Sequence, residues 1–374
     1  MKDKVMISSV EWGCLIANLI LSTGVLFVPS VTAGTAKQDA WLAGLLATGF
    51  GLGITLLLTA LWRRLPDQNL IQAAEIILGK WPGRLVSLFY LWWLLHTTAA
   101  ISQEFGDIVL IGFLPETPFI VIILVGIALS AYAVRSGLEV IARLNLVFLP
   151  LVISLLLLSH LLVINVMDGK NLLPVGETGL SNLVKGAIPT TAWLGELVVM
   201  WMFLPCLNQN HEVRTASLTG ILVTGLLFVL TDLIVVAVFG PVQVASFVIS
   251  TLNAARMIHI AASIERVEAF TLGIWVFGGV VKISLFYLAF VYGLAEWLKL
   301  RDYRPLVLPA GGLIVAMGML NYRNIVELFH FAGKSWPVYS LLTVEVGLPV
   351  LMLLVALGRG IKAQPRGNGS EGTN

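Results

Sequence analysis

Two ionisable residues are embedded in runs that offer them no water. Glu196 sits in Trp193-Leu194-Gly195-Glu196-Leu197-Val198, and Lys282 in Gly278-Gly279-Val280-Val281-Lys282-Ile283. A charge at membrane depth is costly, so such a residue is a functional candidate by default. Glu196 can accept the ammonium of an amino-acid ligand, carry a proton, or pair with a buried cation; a purely structural pair is the competing reading. Lys282 has no charged residue within one helical turn. It must find a partner on another helix or lose its proton. Glu104 and Asp107, three apart on one helical face, are candidate partners. The third feature is Ser22-Thr23-Gly24, in the middle of the first apolar run. Glycine beside two hydroxyl residues weakens a helix there, and irregular backbone at that depth is tolerated where it lines a cavity. Free N–H groups and a positive helix end can then hold a carboxylate. The competing reading is a small-residue packing surface between helices. Thr98, mid-helix in the third run, is a further candidate pocket residue.

The elements that must position these residues follow from composition. Of 374 residues, 58% are hydrophobic and only 12% charged, and the mean hydropathy is +0.92. Soluble domains carry about 25% charged residues, so this is an integral membrane protein. Net charge +2 gives no reason to expect a nucleic-acid partner. Cys14 and Cys206 both fall in apolar runs, which suits packing rather than a disulfide or a metal site. The chain has no phosphate-binding loop, nucleophile elbow or metal-spaced His/Cys set, so an ATP-driven pump or a conventional enzyme is not expected, nor a cofactor. Lys2 and Lys4 precede a run too long for a signal peptide, which predicts a retained helix.

About 20 apolar residues cross the hydrocarbon core. Ten spans are predicted, over residues 9–33, 40–62, 84–112, 119–133, 145–165, 183–203, 217–239, 270–294, 306–320 and 338–357. Residues 248–262 are too polar to span and are expected to lie on the outer surface. Glu265, Arg266 and Glu268 read as a capping cluster at the start of span eight. With both termini inside, roughly twice as many Lys and Arg face the cytoplasm as the outside. Residues 1–357 form a single transmembrane domain on this reading, and 358–374 a disordered cytoplasmic tail. His160 and Asp232, lone polar groups in spans five and seven, are expected to be satisfied structurally.

Five spans after the first, span six carries Pro189, Thr190, Thr191, Gly195 and Glu196. Interrupted segments at matching positions in two halves point to a transporter site. An odd number of spans per half makes the second half inverted. The expected fold is therefore all-α, a five-plus-five inverted repeat of the LeuT type, with helices one and six broken. In that architecture span eight packs on span one beside a sodium site. A lysine there would replace sodium and make the protein sodium-independent, with proton linkage as a further expectation.

These residues, with Leu78-Gly79-Lys80-Trp81 before span three, Asn171-Leu172-Leu173-Pro174 before span six and Glu265-Arg266-Val267-Glu268 before span eight, form an ordered set. In that order, from Ser9 to about Leu357, the chain resembles the B subunit of spore germinant receptors. That is the endospore germination permease family, a branch of the amino acid–polyamine–organocation transporter superfamily. The resemblance implies a pocket at the helix breaks for a small germinant, often an amino acid. It also implies work with a larger A subunit and a lipoprotein C subunit in the spore inner membrane, where occupancy triggers germination rather than uptake. Members often carry a hydroxyl residue after the glycine of the first break; here Val25 follows Gly24.

On this reading Ser22, Thr23 and Gly24 hold the ligand carboxylate. Trp193, Gly195 and Glu196 form the facing wall, Thr98 and Trp275 shape the side-chain pocket, and Lys282 takes the sodium-like position. Gly24→Trp is then expected to fill the pocket and abolish the response while leaving the protein in the membrane. A working amino-acid or amine transporter shares all these features, and an assembly subunit without a ligand is the third reading.

Overall fold

In lipid the backbone must satisfy its own hydrogen bonds, so apolar runs become helices. The computed structural model describes residues 6–208, 212–257 and 268–363. Its elements are α1 (Ser9–Ala36), a 3-10 turn (Lys37–Asp39), α2 (Ala40–Trp62), α3 (Leu70–Leu78), α4 (Lys80–Gly112), α5 (Phe119–Ser136) and α6 (Leu138–Leu162). Then come α7 (Leu180–Gly195), which continues as a 3-10 helix (Glu196–Cys206), α8 (Val213–Phe239), α9 (Pro241–Ser246), α10 (Ser250–Arg256), α11 (Glu268–Leu298) and α12 (Arg304–Leu320). The last span is assembled from α13 (Ile325–His330), a π turn (Phe331–Ser335), α14 (Trp336–Ser340), a second π turn (Leu341–Glu345) and α15 (Gly347–Gly358).

Among the described residues, 8 stretches are long and apolar enough to cross a membrane. The first, Ser9–Trp62, holds both α1 and α2, and Arg304–Leu320 is a shorter apolar helix. Together they account for the ten expected segments. The short α3 was not expected; Asn69 and Gln72 start it with a reciprocal capping box. Of the 248–262 segment expected on the outer surface, the described part holds one short helix, α10, which is mostly buried against α1, α8 and α11 because its Ser, Thr and Ala side chains are small enough to pack between them; residues 258–262, the capping cluster at Glu265 and Arg266, and tail residues 364–374 lie outside the described residues.

The first spans of the two halves occupy the centre. Residues 15–30 of α1 are all buried, as are residues 189–204 of the sixth span. A helix that is apolar all round belongs in a core, and α1 packs against α6, α7, α8 and α11. Trp92 of α4, Leu129 of α5 and Leu354 of α15 instead present exposed apolar surface, as lipid-facing positions do.

Span one departs locally from expectation. α1 runs unbroken through Ser22-Thr23-Gly24. Gly24 serves close packing instead: a Cβ there would lie 2.4 Å from Phe228 Cζ of α8. The change in span six is real. At Gly195 the α-helix tightens into an 11-residue 3-10 stretch. Such runs rarely exceed 3–4 residues and, within a helix, often mark hinges.

Both ends of the central pair are tied. At one end the Ile7 amide donates to the Cys206 carbonyl (2.8 Å) and the Asn208 amide to the Ile7 carbonyl (2.9 Å); Trp12 Nε1 donates to Ser217 Oγ at 2.9 Å. Toward the other end Thr32 and Thr190 share a hydroxyl–hydroxyl bond of 3.1 Å. The turn between α1 and α2 also pins the 166–182 connection. Buried Asp39 accepts from the Gly176 amide (2.8 Å), the Thr178 amide (3.1 Å) and the Thr178 hydroxyl (2.7 Å). Burial pushes this carboxyl up, but the three hydrogen bonds outweigh it and hold it below its ordinary range. The anchor is therefore complete at neutral pH and is lost only as pH falls through that lowered value. Asp39→Asn is expected to raise hydrogen exchange at Gly176 and Thr178 about tenfold or more, the equivalent of one charge-assisted bond; unchanged exchange would refute the anchor.

Candidate functional site

Lys282 projects from α11 into the middle of the protein and is 0% exposed. Its approach to α1 depends on small residues one turn earlier. A Cβ on Gly278 would lie 3.0 Å from Ser22 Cβ, and the Asn18 side-chain amide donates to the Gly278 carbonyl at 3.3 Å. With the two helices this close, the Lys282 ammonium donates to Thr23 Oγ1 at 2.6 Å and to Glu196 Oε2 at 2.7 Å. The Phe286 ring centroid lies 5.8 Å from the ammonium. One ion pair thus joins three elements: α1, the 3-10 end of span six and α11. Glu196 is its buried partner, and not Glu104 or Asp107.

Beside this centre is a cavity of about 10 Å³, lined by Ser22, Thr23, Ile101, Glu104, Phe105, Trp275 and Gly279 among others. That is roughly the space one water needs, so the site is closed in this conformation. The Ser22 hydroxyl and Glu104 Oε1 are buried there without a hydrogen-bond partner. The Phe105 ring covers Gly279, where a Cβ would lie 2.9 Å from its Cδ2. A groove of about 860 Å³ between α1, α6 and α8 is far larger, but it is open along one side and none of its lining polar atoms is buried and unpartnered.

The structure brings Ser22, Thr23 and Trp275 together around the cavity, with Glu196 and Lys282 behind Thr23. Other expected residues face elsewhere. Gly24 abuts Phe228. Trp193 packs on Trp336, with ring centroids 5.5 Å apart. The Thr98 hydroxyl donates to the Leu94 carbonyl of its own helix. Gly195 lies under Glu345: a Cβ there would be 2.2 Å from Glu345 Oε2. His160 is satisfied by the Thr231 hydroxyl at 2.9 Å, as expected. Asp232 is not, for both its oxygens are buried without a partner, facing the Gly44 position of α2.

Glu345 was missed in the sequence, although it carries the signal that flagged Glu196, a lone carboxylate between apolar neighbours (Val344-Glu345-Val346). Among the described residues no group of three or more His, Cys, Asp or Glu is arranged to hold a metal.

Residues 6–326 match a family model described as "Spore germination protein". Spore germination protein KB of Bacillus subtilis (strain 168) is 26% identical over 99% of both chains. Spore germination protein GerQB of Bacillus cereus is 23% identical over 91% of this chain and 93% of that protein. Among solved structures, Mhp1, a nucleobase-cation-symport-1 family transporter in a closed conformation with bromovinylhydantoin bound, superimposes with a TM-score of 0.67 at 13% identity, covering 94% of this chain and 78% of Mhp1. MhsT in complex with L-phenylalanine superimposes with a TM-score of 0.64 at 13% identity, covering 92% of this chain and 97% of MhsT. The fold is thus that of the LeuT-type transporters.

Proposed function

The chain belongs to the spore germination protein family of integral membrane permeases, and from that premise we propose that it is a germinant-receptor subunit that binds a small amino acid between α1, α4 and α11. The carrying observation is the cavity beside the Thr23–Lys282–Glu196 centre, where the Ser22 hydroxyl and Glu104 Oε1 lack partners. Ser22 and Thr23 take the ligand carboxylate, Glu104 its ammonium, and Trp275 and Phe105 enclose its side chain. Gly24, Thr98, Trp193 and Gly195 support the helices that carry these groups. A cavity the size of one water cannot hold an amino acid, so binding parts α4 from α11. A ligand shifts a conformational equilibrium by its differential affinity for the two states. Sensing therefore needs no transport cycle. The A subunit and lipoprotein C subunit of the spore inner membrane belong to the same reading, as receivers of the change.

The test is thermal stabilisation of the detergent-purified protein by a panel of amino acids, nucleosides and sugars, with Ser22→Ala alongside. Because the Ser22 hydroxyl bonds to nothing, its removal should leave ligand-free stability unchanged. It should weaken the response to one amino acid about tenfold or more, the loss of a hydrogen bond to a charged group. Equal responses of the two proteins would sink the site. The second reading is a working transporter, favoured by retention of a helical set covering 97% of MhsT. Accumulation of the stabilising amino acid in proteoliposomes would establish it, whereas binding without accumulation supports the receptor.

A further inference from the structure

We propose that Glu345 is a proton-binding site coupled to the Lys282–Glu196 pair, and that its carboxyl carries the proton in this closed conformation. Glu345 ends the second π turn of the last span and is 0% exposed. π turns inside helices are frequent at functional sites. Both of its oxygens are buried with no hydrogen-bond partner. They press against Gly195, where a Cβ would come within 2.2 Å of Oε2; only a residue without a side chain lets the carboxyl lie there, one position before Glu196.

The π turn packs against α7, its 3-10 continuation, α14 and α15. Three titratable groups interact with Glu345 or with its neighbours: Glu196, Lys282 and Tyr90. Tyr90 donates its hydroxyl to the Val344 carbonyl at 3.0 Å, not to the carboxyl. Lys282 gives its two observed bonds to Thr23 and Glu196. The centre therefore holds one cation for two fully buried acids, Glu196 and Glu345, with Glu104 a third carboxyl across the cavity that also interacts with Lys282 and Glu196. Glu196 and Lys282 neutralise each other. An ionised Glu345 would add a buried charge with neither a donor nor a counterion, which desolvation strongly disfavours. A proton removes that cost.

The coupling follows from the same count. When the site opens to water, the Glu345 O–H bond breaks, its electron pair stays on the carboxylate, and the proton passes to water. The new carboxylate then competes with Glu196 for the one ammonium, which loosens the tie between α11, α1 and the 3-10 segment. Proton release thereby favours the open arrangement and proton uptake the closed one. This deepens the sensing function proposed above but needs no knowledge of the ligand.

The experiment is infrared spectroscopy of the full chain in lipid, without ligand, following the C=O stretch of protonated carboxyl groups as pH is raised. Wild type is compared with Glu345→Gln and Glu345→Asp. We expect Glu345→Gln to accumulate like wild type, because an amide is a neutral isostere, and to lack one carboxylic-acid equivalent at neutral pH. Glu345→Asp should keep that equivalent at a shifted frequency. An unchanged band in Glu345→Gln overturns the proposal. So does failure of Glu345→Gln to accumulate, since a side chain that was neutral already would tolerate it. The band is read without ligand, so a failed amino-acid panel leaves this result standing.

Discussion

Lys282→Ala is expected to cost about 3–5 kcal/mol and to deplete the protein from the membrane, because it strands Glu196 as an uncompensated buried charge. Whole-domain stabilities run to about 5–15 kcal/mol, so this one substitution removes a large share. The ammonium is 0% exposed, its two bonds span three elements, and among the described residues no other Lys or Arg is buried in the core to replace it beside Glu196. Replacing both partners by apolar residues, Lys282→Met with Glu196→Leu, should recover most of the lost stability, since an apolar pair pays no desolvation. That double variant should still fail to signal. The measurement is a double-mutant cycle on thermal unfolding in detergent. Additive single effects, with no recovery in the double, would mean that the pair is not coupled and that the centre has been misassigned.

Gly24→Ala is expected to destabilise by about 1–3 kcal/mol through overpacking, although it adds a single methyl group in a helix where alanine is the better former. The added Cβ would stand 2.4 Å from Phe228 Cζ and 3.1 and 3.2 Å from its two Cε atoms. Phe228 is 0% exposed and cannot swing away. Gly24→Trp therefore does not fill a ligand pocket; it forces α1 from α8, and its loss of response would report misfolding. Trimming the ring with Phe228→Leu should make Gly24→Ala tolerable, so the double variant should melt above the sum of the two single effects. A Gly24→Ala protein that melts with wild type would show that α1 and α8 are less tightly packed than this geometry requires.

Much of the architecture was legible along the chain. Length of apolar runs gave the ten helical segments, because hydrocarbon thickness sets how many residues a span needs and backbone hydrogen bonding forbids anything but helix there. Depth gave Glu196 and Lys282, because a charge among apolar neighbours has no water to reach. The same rule would have given Glu345, a lone carboxylate between Val344 and Val346 with Gly347 and Pro349 close behind it, had the last span been weighed as the sixth was. The break in span six was legible at Gly195-Glu196; the apparent break at Ser22-Thr23-Gly24 was not one. A glycine in a helix can relax the backbone or admit a neighbour, and the neighbour, Phe228, lies 204 positions away in the chain.

What the sequence alone determined, then, is which residues lie at membrane depth, since that follows from local composition and the bilayer. What only the tertiary structure decided is which buried groups meet. Lys282 had Glu104 and Asp107 as candidate partners, and helix rotation and the close approach of α11 to α1 over Gly278 gave it Glu196 and Thr23 instead. That same rotation turned Ser22 toward the cavity and Gly24 toward Phe228. Neighbouring residues on a helix point about 100° apart, and only the packing of the other helices says which direction faces a ligand and which faces a wall.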